Sequence, residues 1–264
     1  MPHSAHSPAA ASFAILLGMK SVYLGIDVGY SAKRKSTGVC VIEPDAREPV
    51  RCEHVKTQDT PDAILKLLAG AEPIAASIDG PLVASALSDA ERYITVNRYR
   101  RCDEMLSRGL FQKRCKPGQT NSPVGQKLHD RATVLANHVL SLFPHATISE
   151  SFPNAFMGVM LPDATTWTIP RGKKSDAFWN YCIGPSTVLE RLISHLLGAD
   201  GAKVFDSCRL LRNHDERAAV ICALTAAAAR QGQGFLVDGG ADGTIVLPPE
   251  QFIQPWATEA LKGR

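Results

Sequence analysis

Four acidic residues, Asp27, Asp79, Glu150 and Asp215, stand where a folded chain can bring carboxylates together. Asp27 closes the apolar run of Val22, Leu24 and Ile26, and Gly29 behind it permits a tight turn. Asp79 ends a second apolar run, IAASIDG, and Glu150 ends a third short one before Pro153. Asp215 opens a segment of small apolar residues, Ala218 to Ala229. Hydrolysis of a phosphodiester by a pair of divalent ions needs such a set, with one carboxylate bridging both ions and others fixing each on its outer side. Carboxylate oxygens with open positions suit Mg2+ or Mn2+, which keep water and substrate phosphate oxygens as ligands. One ion would generate the attacking hydroxide and the other would stabilise the leaving 3′-oxygen. Acidic residues at strand ends are common, so position alone does not single out this chemistry.

Basic groups flank the acids. Lys33, Arg34 and Lys35 follow Asp27 closely, a neighbourhood that suits either a metal ion or a phosphate. A second basic run holds Arg98, Arg100, Arg101, Arg108, Lys113, Arg114 and Lys116, against Asp103 and Glu104. It reads either as a solvated helix face or as an electropositive wall for phosphates, with Arg100 and Arg101 as the contacts. Arg101 and Asp103 can pair to order that helix, and Lys174 can meet a phosphate near Glu150. His214 can assist proton transfer beside Asp215, although capping a helix is its plainer role. Trp167, Phe178 and Trp179 can stack on bases, or simply pack.

The elements that must position these groups follow from periodicity. Alternation predicts strands at Val22 to Asp27, Thr37 to Ile42 and Val50 to Val55, joined closely enough to form an antiparallel meander. A short helix starts at Thr60 or Asp62, and the strand ending at Asp79 follows. Ser88 with Glu91 has the capping-box spacing, predicting a helix to Gly109. Gln126 to Phe143 carries one apolar helical stripe. A strand ends at Glu150, Ser175 can cap the next helix, and Pro185 to Leu197 is amphipathic. Asp215 sits at a helix start, where the helix dipole favours an acid, and shares a face with Ala218, Ala219 and Cys222. GFLVDGGADGTIVLP reads as a hairpin, and QPWATEALKG as a short tail. In such an α/β sheet, Asp27 and Asp79 fall at neighbouring strand ends.

Composition bounds the rest. With 264 residues, 45% hydrophobic, the chain can bury one sizeable core, and residues 20–264 are read as a single domain. A net charge of +3 is too mild to demand a polyanionic partner. The seven cysteines are scattered and never in a C-x-x-C pair, which points to a reduced, cytoplasmic protein without a structural zinc site. Residues 1–19 read as an unstructured extension. Ala9 to Gly18 has the look of a signal-peptide core, but no Lys or Arg precedes it and it is too short to span a bilayer.

Three functional readings compete. GIDVGYS and VDGGADGT resemble the two phosphate loops of the ATP-binding actin, sugar-kinase and chaperone superfamily. Only Ile245 to Arg264 follows the second loop, too little for the domain that would close over ATP. A nucleic-acid binder without catalysis is the second reading. The third rests on an ordered set: GIDVG at Asp27, IDGPL at Asp79, RRCDEML at Arg100 to Leu106, ESFP at Glu150 and HDERAAVICALTA at His214. Together these resemble the domain of unknown function 429 family, predicted to be RNase H-like nucleases, over roughly Lys20 to Pro248. The resemblance implies a ribonuclease H-like mixed sheet, its first three strands antiparallel, with helices on both faces and helical insertions. It also implies a metal-dependent nuclease acting on nucleic acid, with Asp27 central and with Asp79 and Asp215 as the fourth-strand and last-helix acids. One position departs: where relatives are expected to carry an acid, Ala218 stands, and Asp215 or Glu216 substitutes one turn earlier.

Overall fold

The computed structural model describes residues 20–29, 31–83, 99–111, 114–115, 120–162, 169–184 and 186–262. Expectations placed on residues 1–19, Ser88, Glu91, Arg98, Lys113, Lys116 and Trp167 lie outside this set. The fold is α/β, built on a seven-stranded mixed sheet. Its strands are β1 (Lys20–Asp27), β2 (Thr37–Ile42), β3 (Val50–Val55), β4 (Ala71–Asp79), β5 (Thr147–Ser151), β6 (Phe235–Asp238) and β7 (Thr244–Leu247). They lie in the order β3-β2-β1-β4-β5-β7-β6. β1, β2 and β3 form the expected antiparallel meander, while β4 pairs parallel with both β1 and β5. β6 and β7 form the expected hairpin, and β7 runs parallel beside β5. Its turn takes left-handed backbone at Gly240 (φ 65°) and Gly243 (φ 92°), conformations that glycine adopts without strain.

The helices are α1 (Thr60–Leu67), α2 (Arg101–Met105), α3 (Pro123–Leu142), α4 (Pro153–Gly158), α5 (Lys174–Ile183), α6 (Val188–Leu197), α7 (Gly201–Arg209), α8 (His214–Arg230) and α9 (Pro255–Lys262). The long helix expected to reach Gly109 is, over its described part, only the short α2 followed by turns. α6 begins at Val188, and Pro185, its expected start, lies outside the described residues. Alternation along each strand sorts side chains into two cores. Val22, Leu24, Ile26, Val39, Val41 and Ile78 pack with α1 and α3 on one face. Cys40, Ile42 and the α8 residues Ala219, Val220 and Ala223 pack with the remaining long helices on the other.

Two local features set the height of the strands and the depth of α8. Val22 is level with Pro73, but Tyr23 is level with Ala75, leaving Ile74 as an extra residue in β4. Pro73 has no N–H to give the ladder, so a bulge here costs little. Beyond it Asp27 is level with Asp79; without the extra residue it would face Ile78. α8, in turn, lies directly on glycines. A Cβ on Gly25 would come within 2.0 Å of the Ala219 carbonyl oxygen, and one on Gly38 within 2.0 Å of the Asp215 carbonyl oxygen. The run of alanines in α8 and the glycines of β1 and β2 are thus matched surfaces.

Candidate active site

Asp27 and Asp79 end adjacent parallel strands at the same level, and both project from the α8 face of the sheet. Asp215 reaches them from the first turn of α8, whose start is capped by Asn213 rather than by a histidine. The Asn213 side-chain oxygen accepts from the backbone N–H groups of Asp215 (2.8 Å) and Glu216 (3.4 Å). Asp27 is the central member, interacting directly with the carboxyl groups of both Asp79 and Asp215. Burial, then repulsion from Asp79 and Asp215, drives its carboxyl far above the ordinary carboxylate range. Asp79 is pushed up to about 7, chiefly by burial, with Glu150 adding to the effect and Asp27 opposing it. At neutral pH the pair therefore retains a proton between them.

The three acids line one open cavity of about 440 Å³. Arg34, Lys35 and Arg217 lie on its rim, with His54, Asn154 and Ser175 among its walls. The loop carrying Arg34 and Lys35 is tied down at its base. Gly29 N–H donates to Thr37 Oγ1 (3.1 Å), and Arg131 donates to the Gly29 carbonyl (3.0 Å). Arg217 is less free: its guanidinium donates to the Leu211 carbonyl and to Asp176, and lies over the Trp179 ring.

Glu150 does not join this trio. Ser151, not Glu150, is level with Asp79, so the Glu150 side chain leaves from the opposite face of β5. There Arg100 grips it with two guanidinium nitrogens, one at 3.0 Å, and the Leu82 N–H donates to it at 2.9 Å. Arg100 also holds both oxygens of Asp103, at 3.0 and 3.2 Å, and is fully buried. The expectation that Arg100 contacts substrate is thus corrected: its donors are spent on buried carboxylates. It also takes the role expected of Arg101 in pairing with Asp103. Arg101 is exposed on α2, away from the cavity lining, and its backbone N–H meets Asp242.

Lys174 is corrected as well. Its ammonium is buried and donates to the Arg114 carbonyl at 3.0 Å, with burial lowering its pKa. Ser175 does not cap α5 but donates to Asn154 Oδ1 (2.8 Å), joining two walls of the cavity. Lys33 is exposed and does not line the cavity, where Lys35 does instead. Phe178 and Trp179 are buried and pack in the core. His214 is at the rim, its Nε2 2.8 Å from Asp215 Oδ1. Sequence reasoning missed His54, whose Nε2 is 2.8 Å from Asp215 Oδ2. The only signal for it was its place two residues before Lys56 on the strand paired with β2.

As a donor set the trio fits Mg2+ or Mn2+: hard oxygens, mutual repulsion, and among the described residues no lysine or arginine paired to them. Among those same residues no group of three or more His, Cys, Asp or Glu side chains stands in an arrangement that could hold a metal ion. Among the described residues no helix is long and apolar enough to cross a membrane. No family model, no curated protein and no solved structure matches this chain.

Proposed function

We propose that the protein is a metal-dependent phosphodiester hydrolase, a nuclease of the RNase H-like kind, in keeping with the resemblance to the domain of unknown function 429 family. One observation carries this reading: Asp27 and Asp79 are level on adjacent parallel strands, and Asp215 is set against them by a helix packed on glycine. The antiparallel β1–β2–β3 meander continuing into parallel β4 and β5 supports the RNase H-like part of it. Asp27, Asp79 and Asp215 would hold Mg2+ or Mn2+. When bound, the cation supplies an activated water and charge for the leaving oxygen. The Asp27–Asp79 pair would release its retained proton to solvent when the cation's positive charge takes its place. Arg34 and Lys35 draw the phosphate backbone of a nucleic acid across the cavity mouth. Seven free thiols, six of them buried, support a reducing, cytoplasmic setting.

A second reading, nucleic-acid binding without hydrolysis, is favoured by Ala218, which lines the cavity where the resemblance places an acid. Calorimetric titration with Mn2+, beside cleavage assays on labelled single- and double-stranded DNA, RNA and hybrids, separates the two. The nuclease reading expects Mn2+ binding and cleavage in the wild type, with both abolished in Asp27→Asn. Binding without cleavage of any form leaves the binder, and no Mn2+ binding at all overturns the nuclease.

A further inference from the structure

The cap of α8 fixes more than the start of the helix. Two backbone N–H groups donate to one end of the Asn213 amide, which identifies that end as the oxygen. The amide NH2 is therefore the group that meets His54 Nδ1 at 2.9 Å. An NH2 group can only donate, so Nδ1 accepts and the imidazole carries its proton on Nε2. That N–H lies 2.8 Å from Asp215 Oδ2 but makes no hydrogen bond, to Asp215 or to any other described group. The approach is bent from the ring N–H axis, a charge–dipole contact rather than a linear hydrogen bond. His54 reaches α8 because its partner across the β2–β3 ladder is Gly38, which puts no side chain in the way.

The other oxygen is differently held. Asp215 Oδ1 is met by His214 Nε2, on a side chain that is 63% exposed and able to swing into solvent. Asp215 also faces the Asp27 carboxyl, on β1. One oxygen is thus braced by a part-buried side chain with a fixed proton, and the other by a removable one.

We propose that His54 is the positioning residue of the acidic site: Asn213 holds its proton on Nε2, that N–H braces Oδ2 of Asp215, and Oδ1 is left to face a bound cation. This rests on the metal-dependent reading above, in which a ligating carboxylate is oriented by a polar group outside the ligand set.

The test uses the full chain and Mn2+ alone as probe. Loss of such an outer partner costs about 10–100-fold in metal affinity. His54→Ala is expected to lose affinity on that scale, whereas His54→Gln, whose amide N–H can take the place of Nε2–H, recovers most of it. Both should melt within a few degrees of one another, which separates positioning from folding. Long-range proton–nitrogen NMR on 15N-histidine protein is expected to show the Nε2–H tautomer for His54, and a mixture of tautomers in Asn213→Ala. A wild-type Nδ1–H tautomer overturns the proposal, as does undiminished Mn2+ affinity in His54→Ala. If the wild type binds no Mn2+, the nuclease reading falls separately. The brace is then decided by the Asp215 carboxyl 13C resonance, which must shift in His54→Ala and return in His54→Gln.

Discussion

Gly38 lies directly beneath the main-chain carbonyl of Asp215, so close that a Cβ would sit 2.0 Å from its oxygen. The same glycine is level with Asp27 on one side and with His54 on the other. A residue with no side chain is therefore what lets an acid on a strand, an acid on a helix and a histidine on an edge strand converge.

Gly38→Ala is expected to lift the first turn of α8 away from the sheet. Overpacking of this kind costs about 1–3 kcal/mol, and more where backbone is the obstacle. Gly25→Ala, which meets the Ala219 carbonyl further along α8, should destabilise as much. Only Gly38→Ala should weaken Mn2+ binding beyond what its reduced stability explains. Chemical denaturation paired with calorimetry on both variants checks this, and an equal drop in Mn2+ affinity in the two would count against the proposed geometry.

The crowded acids should make the cation-free fold sensitive to pH. Asp79 titrates near 3.8 in its unperturbed state and is pushed up to about 7 by folding. Because its folded pKa is raised, the folded state binds the proton more tightly between those values. Stability should therefore fall as pH rises from about 4 to about 7, by at most about 4 kcal/mol and less because the site opens onto a cavity. Urea unfolding in EDTA across that window measures the slope. Asp79→Asn should flatten it, and an unchanged slope would remove the shared-proton account.

Asp27→Asn follows from the same repulsion. An amide is neutral without having to hold a proton, so the cation-free variant should be more stable at neutral pH than the wild type, by about 1–2 kcal/mol. The wild type should regain ground when Mn2+ is added, about 2.7 kcal/mol at a concentration 100 times the dissociation constant. The variant should show no such rise. Thermal melts with and without Mn2+ give all four values, and a Mn2+-dependent rise in Asp27→Asn would displace Asp27 from the centre of the site.

Much of this arrangement is legible in the sequence. Alternation locates β2 and β3 to the residue, and the two ID steps place Asp27 and Asp79 at strand ends. In both steps the acid follows its isoleucine directly, so Ile26 and Ile78 face one core and the acids face the other. In TISE the acid comes two residues after Ile148 and shares its face, which is why Glu150 belongs to a different network. That parity is available in the sequence. The bulge at Ile74 is not, since register depends on the partner strand, and neither is the meeting of His54 with Asn213, which only tertiary packing creates. Arg100 and Lys174 escape a sequence reading because charge alone does not tell a solvated side chain from one that neutralises a buried carboxylate or carbonyl.

The Glu150–Arg100–Asp103 network should prove structural. Arg100→Ala strands two buried carboxylates, a change expected to cost about 3–5 kcal/mol. Glu150→Gln should also destabilise, but its folded fraction should bind Mn2+ nearly as well as the wild type. Calorimetry at a temperature where the variant is folded decides the point. Abolished binding in Glu150→Gln with an intact fold would restore Glu150 to the ligand set.

The basic loop offers a sharper division among neighbours. Arg34 and Lys35 line the cavity and Lys33 does not, although all three are exposed and equally charged. General attraction for a polyanion would treat the three alike, since exposed charges a few ångströms apart share one screened field. Direct phosphate binding would not. Removing a side chain that neutralises one phosphate should reduce the dependence of log affinity on log salt by about 0.7–0.9. Fluorescence anisotropy with a labelled oligonucleotide in Ca2+, across a salt series, is expected to show that drop for Arg34→Ala and Lys35→Ala, and little change for Lys33→Ala. Equal slopes for all three would mean that the loop supplies charge but does not guide a phosphate to the carboxylates.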